Sequence, residues 1–514
     1  MPADHQAFDV TSTSIVGLDD ILFGGFRKGG FYLVQGDPGS GKTTLALQFI
    51  QGRVRAGERC LYVTLTESRQ DLENTCKSHE WTMDGLELQD LTRPGDSLSD
   101  ERSSSVFHPA DTELTEITEA LLAAVERVQP TYVVFDGLSE LRLLSGEPLR
   151  YRRQLLSMKA FFAQKGTTVL LLDDRSSNFT NFQPESIVGG NIILERFLPA
   201  YGRARRRLFV TKVRGGYFRE GYHDYDIVKG GVVVHPRLVA GEHQKDAHSS
   251  ALFESGVDNL DQMLSGGLSA GSTTLFLGPA GVGKSTVGMQ FVVRALQSGK
   301  KAAVYMFDEV MHILVDRSEK LCFGQPGGFA RYVSDGHLHA QQIDPAEMSP
   351  GAFAHEVRRA VDDGAEVVVI DSLNGYLNSM PDERYLMTHL HELFAYLNQK
   401  GVLTLVMVAQ HGMLVGGAGG RGGEMDVSYL SDTVLLFRYF EAEGAISQAL
   451  SVFKKRTGPH ERTIRKLTID EQGVSVGEPL RMFRGVMSGV PQYEPPQPGG
   501  MPSAPASDPQ NVGS

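Results

Sequence analysis

The chain has 514 residues, which suggests two or three domains, and 41% of them are hydrophobic, enough to fill substantial cores. A net charge of −12 argues against a general nucleic-acid-binding protein. Three cysteines form neither a metal-ligand spacing nor a disulfide framework, which predicts a reducing, cytoplasmic location. The start, MPADHQAFDV, lacks the pattern of a signal peptide, and no run of about 18 apolar residues is available to span a membrane.

In chain order, composition predicts a polar lead, two domains of similar length, and a tail. The lead is expected over residues 1–12, the first domain over 13–240, a polar linker over 241–250, and the second domain over 251–487. Residues 488–514 are rich in Pro, Gly and Ser and carry little apolar material, which predicts disorder. Apolar runs such as YVVFD and EVVVID alternate with helical stretches, so each domain is predicted to be α/β, with a mostly parallel sheet flanked by helices.

A phosphate-binding motif occurs twice. Residues 36–43 and 278–285 both fit G-x-x-x-x-G-K-[ST], and each follows a strand-like run and opens a helix-like one. In such a loop the backbone N–H groups surround phosphate oxygens, while Lys42 or Lys284 would reach the β- and γ-phosphates of ATP. Thr43 and Ser285 carry the hydroxyl that would bind Mg²⁺.

The repeat extends far beyond these loops. Glu67 and Glu309 are 242 residues apart, which is also the distance between Lys212 and Lys454. A period of this length is the size of a whole domain and too long for a solenoid repeat. We therefore predict the duplication of one ATPase domain.

Two aspartates follow apolar strand-like runs, Asp136 in the first domain and Asp371 in the second. A carboxylate at the C-terminal end of a parallel strand lies beside the phosphate loop, where it can hold Mg²⁺ or a water bound to it. The plain alternative is an ordinary aspartate that ends a strand. The paired loops favour the Mg²⁺-side role.

The next candidate acids are Glu67, Asp308 and Glu309, at the ends of further strand-like segments. Each is placed to accept the proton of a group that attacks the γ-phosphate. Acids at a helix N-terminus that complement its dipole are the alternative. Recurrence at one offset favours catalysis, and Thr66 at the position of Asp308 predicts different chemistry in the two sites.

Cations recur late in each domain in a K-x-R pattern, as Lys212 and Arg214 and as Lys454 and Arg456. Alternation along a strand would direct both cations to one face, where they could neutralise the γ-phosphate of a neighbouring subunit as an arginine finger does. A solvated strand face is the alternative. The basic run RARRRL (203–208) is expected to be an edge strand, or to contact an acidic neighbouring subunit, rather than to bind nucleic acid.

Taken together, these features resemble the KaiC family, the double-domain RecA-like ATPases of the cyanobacterial clock and their bacterial and archaeal relatives. The resemblance covers roughly residues 13–492 and includes both phosphate loops, TESRQDL, FDEVMHIL, KVRGG and KKRTGPH. It implies two tandem RecA-like domains and a homohexamer of two stacked rings with ATP and Mg²⁺ between subunits. It also implies slow ATP hydrolysis in the first ring, and serine/threonine autokinase and autophosphatase activity in the second.

The resemblance assigns further positions of this chain to the nucleotide. In the first domain the positions are Gly39, Ser40, Gly41, Lys42, Thr43, Thr44, Ser78, Lys212, Val213 and Arg214. In the second domain they are Gly281, Val282, Gly283, Lys284, Ser285, Thr286, Lys454, Lys455, Arg456 and His460. Glu67 matches the second member of the family's catalytic Glu pair in the first ring, and Asp308 and Glu309 match the pair in the second.

The family's phosphorylated Ser-Thr pair falls on Ser428 and Tyr429, which makes Ser428 the expected phosphosite. The tail lacks the KaiA-binding pattern, so no KaiA-like partner is implied, while a partner resembling KaiB stays open. Two other functions compete with an ATPase and autokinase that serves as a timer or signalling regulator. One is a RecA- or DnaB-like DNA-dependent ATPase, and the other is a protein in which one domain hydrolyses ATP while its twin acts as an assembly scaffold.

Overall fold

A computed structural model describes the chain in two compact units. One unit comprises Met1–Leu238 together with Ala346–Glu356, and the other comprises Val239–Pro345 together with Val357–Ser514. The described residues are 9–92, 109–175, 184–239, 241, 251–321, 328–344, 346–378, 386–409, 428–442, 444–471, 473–486 and 492–493. Most of the predicted lead, the predicted linker and most of the predicted tail therefore lie outside the described residues.

We call residues 9–241 the first repeat and residues 251–493 the second repeat. The strands of the first repeat are β1 (Val10–Thr11), β2 (Phe26–Arg27), β3 (Phe31–Gly36), β4 (Cys60–Thr64), β5 (Glu87–Asp90), β6 (Tyr132–Asp136), β7 (Thr168–Asp174), β8 (Gly190–Phe197), β9 (Arg205–Val213), β10 (His223–Val228) and β11 (Gly231–His235). Its helices are α1 (Val16–Ile21), α2 (Lys42–Arg55), α3 (Arg69–Ser78), α4 (Pro109–Val128), α5 (Leu138–Ser145) and α6 (Pro148–Lys165), with a 3₁₀ turn at Pro184–Ser186.

The second repeat follows the same order of elements, with an additional helix after α9 and two additional short strands at its end. Its strands are β12 (Leu252–Phe253), β13 (Leu268–Ser269), β14 (Thr273–Gly278), β15 (Lys301–Met306), β16 (Leu338–Gln342), β17 (Ala365–Asp371), β18 (Leu403–Ala409), β19 (Thr433–Ala442), β20 (Ala445–Lys455), β21 (Ile464–Asp470), β22 (Gly473–Pro479), β23 (Phe483–Arg484) and β24 (Gln492–Tyr493). Its helices are α7 (Asp258–Met263), α8 (Lys284–Gln297), α9 (Met311–Leu321), α10 (Gly328–Ser334), α11 (Pro350–Asp362), α12 (Leu373–Asn378) and α13 (Leu386–Gln399), with a 3₁₀ turn at Ser428–Leu430.

Each repeat is built on a nine-stranded sheet. The strand orders are β11-β10-β9-β8-β3-β7-β6-β4-β5 and β16-β15-β17-β18-β14-β19-β20-β21-β22. In each sheet five neighbouring pairs are parallel and three are antiparallel, the antiparallel pairs lying beyond β8 or β19. These are two tandem RecA-like domains, as the sequence predicts.

Strand β3 shows why both faces of the sheet are covered. All six of its residues are buried, and successive side chains enter different cores. Tyr32 and Val34 pack in one hydrophobic cluster, while Phe31 and Leu33 pack in the other. Because neighbouring residues of a strand face opposite sides, a continuous apolar run indicates a sheet buried on both faces by helices.

The parallel register brings the functional ends of the strands together. Gly36 at the end of β3 is level with Asp174 at the end of β7, and Thr64 at the end of β4 is level with Asp136 at the end of β6. In an open α/β sheet this C-terminal edge is where ligands bind. The fold therefore gathers residues from four strands around the first phosphate loop.

The expectation of an edge strand at RARRRL is wrong. Strand β9, which contains most of that run, lies between β8 and β10. Arg205 is buried, and Arg207 Nε donates to Glu195 Oε2 at 2.8 Å. Two residues of the run pair with carboxylates of the neighbouring strands, Arg207 with Glu195 and Arg203 with Asp226. Among the described residues, no helix is both long and apolar enough to cross a membrane.

Candidate nucleotide sites

Both phosphate loops have a backbone that only glycine adopts easily. Gly39 and Gly41 have φ of +76° and +98°, and Gly281 and Gly283 have φ of +77° and +99°. Helices α2 and α8 begin directly after these loops, at the lysines. Their first N–H groups lack intrahelical partners and point into the loops, so each loop is built to bind an anion such as phosphate.

In the first repeat a cavity of about 410 Å³ opens on the phosphate loop. It is lined by Pro38, Gly39, Gly41, Lys42, Thr43, Thr44, Thr66, Glu67, Thr75, Asp136, Gly137, Ser139, Leu172, Asp173, Asp174 and Ile227. Most of the residues expected at this site from the sequence thus lie together. Five expected residues that the structure describes do not line the cavity: Ser40, Ser78, Lys212, Val213 and Arg214. The buried Oγ of Ser40 has no partner among the described atoms.

Lys42 is held at the floor of this cavity by its own loop and by one carboxylate. Its Nζ donates to the carbonyl oxygens of Gly36 at 2.9 Å and Asp37 at 3.3 Å. It also forms an ion pair of 2.5 Å with Asp174 Oδ1. Asp174 therefore contacts the amine that would bind the phosphates of ATP.

The hydroxyl of Thr43 lies between the two candidate acids of the first repeat. Thr43 Oγ1 is 3.0 Å from Glu67 Oε1, to which it donates, and 3.5 Å from Asp136 Oδ2. Helix α3 is capped by Ser68 and Asp71, which exchange bonds with each other's backbone N–H groups. Capping therefore does not account for Glu67, whose carboxylate faces the phosphate loop.

Burial raises the pKa of both candidate acids of the first repeat. It raises the pKa of Asp136 to about 6, although a hydrogen bond of 2.7 Å from the Tyr62 hydroxyl lowers it. Burial also raises the pKa of Glu67, against the hydrogen bond from Thr43. A carboxylate whose pKa is raised accepts a proton more readily at physiological pH than an ordinary carboxylate does.

The second repeat places the same residue types with different partners. Lys284 is buried and donates to the carbonyl oxygens of Gly278 at 2.9 Å and Pro279 at 2.7 Å. Burial raises the pKa of Asp371, while a hydrogen bond from Ser285 opposes the shift. Ser372 Oγ donates to Asp308.

The candidate acid Glu309 has a different partner from its counterpart Glu67. It accepts two hydrogen bonds from Arg317, each of 2.9 Å. Both oxygens of its carboxylate are therefore engaged by one guanidinium.

The K-x-R cations contact backbone carbonyls of their own repeat. Lys212 Nζ donates to Glu185 O, and Arg214 Nη2 donates to Ser186 O at 2.6 Å, so both cations lie on one side of β9. In the second repeat Lys454 donates to Ser431 O at 2.7 Å. Lys455 donates to the carbonyls of Leu264 and Gly267. Arg456 lies 3.9 Å from Asp432.

The remaining expected residues are Ser78, His460 and Ser428. Ser78 ends α3 and donates to the carbonyl of Thr75 at 2.8 Å. Burial lowers the pKa of His460. Ser428 begins the 3₁₀ turn, but its side chain lies outside the described residues, whereas the neighbouring Tyr429 is 56% exposed.

Sequence reasoning did not single out Asp174, Tyr62 or Arg317. A signal existed for Asp174, because it ends the run TTVLLLDD as Asp136 ends YVVFD. Tyr62 and Arg317 gave no signal, since a tyrosine inside a strand and an arginine on a helix are ordinary at such positions.

The donor set around Thr43 suits Mg²⁺. That ion prefers oxygen ligands and usually takes one or two from protein, with phosphate and water completing its shell. The Thr43 hydroxyl lies 3.0 Å from a carboxylate oxygen of Glu67 and 3.5 Å from one of Asp136. Among the described residues, no group of three or more His, Cys, Asp or Glu side chains is arranged to hold a metal ion.

Comparison with known proteins agrees with this arrangement. The family model for the ATPase KaiC matches residues 11–239 and again residues 253–481. The chain belongs to the KaiC family. Membership supports ATP binding and ATPase activity for this KaiC-family protein.

Relatives match along nearly the whole chain. The circadian clock oscillator protein KaiC of Acaryochloris marina is 26% identical, covering 95% of this chain and 92% of its own length. The protein of the same name from Synechococcus elongatus is 25% identical, with coverage of 95% and 93%. The circadian clock protein KaiC3 of Synechocystis sp. is 24% identical, with coverage of 95% and 96%.

Proposed function

We propose that the first repeat is a Mg²⁺-dependent ATP hydrolase. The observation that carries this proposal is the cavity in which Lys42, Thr43, Glu67 and Asp136 converge. Mg²⁺ held by Thr43, with Asp136 beside it, would neutralise charge on the β- and γ-phosphates. Lys42 would exchange Asp174 for phosphate oxygens when ATP enters.

Glu67 is the proposed proton acceptor. The oxygen of a water bonds to the γ-phosphorus, the bond from that phosphorus to the β–γ bridging oxygen breaks, and ADP leaves with the electron pair. The proton of the water passes to Glu67, whose pKa is raised by burial and so favours proton acceptance. Asp136 stays ionised when the metal binds, because a cation favours the charged form.

The protein is also proposed to be a homohexamer with ATP at the subunit interfaces. Lys212 and Arg214 do not line the cavity of their own repeat, which supports a role toward the neighbouring subunit. Nucleotide that binds between subunits stabilises the assembled state by mass action. Light scattering tests this: Mg·ATP should raise the mass to that of six chains, and an unchanged monomer mass would refute it.

The second repeat is proposed to phosphorylate Ser428 and later to remove that phosphate. The serine oxygen bonds to the γ-phosphorus, the bond to the bridging oxygen breaks, ADP leaves, and Asp308 or Glu309 takes the serine proton. Lys454, which contacts the carbonyl of Ser431 beside the turn, and Arg456 would neutralise the γ-phosphate. A tyrosine hydroxyl lies farther from its backbone than a serine hydroxyl, so Tyr429 should stay unmodified.

Mass spectrometry after prolonged incubation with Mg·ATP tests the transfer. Phosphate on Ser428 and none on Tyr429 is the expected result. An unmodified Ser428 beside continuing ADP production would leave an ATPase that is not a kinase.

The protein is proposed to act in the cytoplasm as a timer or signalling regulator, since the relatives carry names of circadian clock proteins. A KaiB-like protein is a candidate partner, and no KaiA-like partner is implied. The competing DNA-dependent ATPase is not favoured, because the basic run on β9 is paired with carboxylates such as Glu195. ATPase activity stimulated by DNA would reverse that choice.

A further inference from the structure

The candidate proton acceptors of the two repeats, Glu67 and Glu309, contact different kinds of side chain. Glu309 is bound through both carboxylate oxygens to the two terminal nitrogens of Arg317, each at 2.9 Å. This bidentate geometry is the strongest form of an arginine–carboxylate contact. Both side chains are mostly shielded, with exposures of 27% for Arg317 and 21% for Glu309.

The matched position of the first repeat carries no charge. Arg317 lies 242 residues after Thr75, the same offset that relates Glu309 to Glu67. Thr75 lines the first nucleotide cavity, so this helix position faces the nucleotide site. Without an arginine beside it, Glu67 accepts a hydrogen bond from Thr43 of the phosphate loop.

Local structure explains how Arg317 reaches Glu309. Glu309 lies just before helix α9, and Arg317 lies in the second turn of that helix. Asp371 is the other acid nearby. Burial raises its pKa, the positive charges of Arg317 and Lys284 lower it, and the negative charge of Glu309 raises it. Among the described groups, however, Glu309 is the acid that Arg317 contacts directly.

We infer that Arg317 is a positioning residue of the second site, which engages both oxygens of the Glu309 carboxylate and so keeps ATP hydrolysis slow there. This rests on the proposed function and requires that Glu309, a proposed acceptor of the serine proton, also accepts the proton of water in the second site. A general base must come within about 3 Å of the proton that it takes. A carboxylate whose two oxygens are bound to one guanidinium has to break that contact first.

The test replaces Arg317 by the residue of the first repeat. Hydrolysis by the second site is measured in the full chain with Glu67→Gln, which suppresses the first site. In that background Arg317→Thr should raise kcat about fivefold and change KM little, because a partly exposed ion pair of this kind holds a carboxylate with modest free energy. Arg317→Lys, which keeps the charge but loses the bidentate geometry, should give a smaller rise.

A third variant separates this inference from the proposed function. Adding Glu309→Gln to Arg317→Thr should abolish the rise, which a merely structural effect of Arg317 would not do. If Arg317→Thr leaves kcat unchanged or lowers it in folded protein, while Glu309→Gln alone lowers it, the inference is wrong and the role of Glu309 stands. If Glu309→Gln alone has no effect on the second site, the role of Glu309 is wrong and the inference with it. Thermal melting shows which variants fold.

Discussion

The two repeats agree in backbone and differ in where they place an ion pair. In the first repeat the phosphate-loop lysine, Lys42, pairs with Asp174, while Glu67 contacts Thr43. In the second repeat the lysine donates to backbone carbonyls, while Glu309 pairs with Arg317.

The sheet register identifies the positions that cause this difference. Gly36 of β3 is level with Asp174, whereas the equivalent Gly278 of β14 is level with Ala409. The first repeat thus pairs the lysine of its phosphate loop with a carboxylate, and the second repeat pairs its candidate proton acceptor with an arginine. The two phosphate loops share a backbone conformation, and the side chains at the neighbouring strand ends differ.

The largest expected effect comes from the K-x-R cations of the first repeat. Arg214→Ala should lower hydrolysis there by about 10²-fold, less than the roughly 10³–10⁵-fold that an arginine finger contributes in GTPases, because a slow ATPase gains less from it. Lys212→Ala should act in the same direction. Steady-state ADP production measures both, and circular dichroism verifies that the fold survives.

Subunit mixing decides whether these cations act on a neighbour. Arg214→Ala chains supply an intact phosphate loop, and Lys42→Ala chains supply an intact arginine. Mixed hexamers should recover part of the hydrolysis if the arginine serves the next subunit. No recovery in assemblies shown to be mixed would place Arg214 in its own site.

A second effect follows from the pKa of Asp136, about 6. Because burial raises this pKa, the carboxylate is protonated below about pH 6 and free to approach Mg²⁺ above it. At pH 5 about a tenth of it is ionised, so the apparent Mg²⁺ affinity of the first site should be about tenfold weaker than at pH 8. Mg²⁺ titration of hydrolysis at a series of pH values measures this.

The matched variant is Tyr62→Phe. Its lost hydrogen bond should raise the pKa of Asp136 further and move the midpoint of the Mg²⁺ dependence to higher pH. The titration of ATP itself is the same for both proteins, so a midpoint that does not move contradicts the role proposed for Asp136.

The smallest expected effect concerns Asp174. Asp174→Ala reproduces the Ala409 of the second repeat and frees Lys42 from a carboxylate before ATP arrives. The first site should bind a non-hydrolysable ATP analogue about fivefold more tightly, as expected for a partly exposed ion pair. Calorimetry measures the affinity, and Ala409→Asp is the matched control that should weaken the second site. Unchanged affinity in both variants would show that the ion pair between Lys42 and Asp174 does not affect nucleotide binding.

The local sequence pattern predicted the fold and the phosphate loop that leads into helix α2 at Lys42. The strand, loop and helix around Lys42 follow one another in the chain, so motif and periodicity were sufficient there. Asp174 lies 132 residues from Lys42, and the two meet only because β3 and β7 are neighbours in the sheet. Strand order and side-chain direction are non-local properties, which is why Asp174, Tyr62 and Arg317 emerged from the structure.

One measurement tests most directly whether the repeats divide the chemistry. Full-length proteins with Glu67→Gln or Glu309→Gln are incubated with Mg·ATP labelled at the γ-phosphate, and free phosphate and label on Ser428 are counted in the same samples. We expect Glu67→Gln to lose most phosphate release and keep the label, and Glu309→Gln to keep phosphate release and lose the label. If both variants lose both signals to the same extent, the two repeats share one activity and the proposed division between hydrolysis and phosphotransfer is wrong.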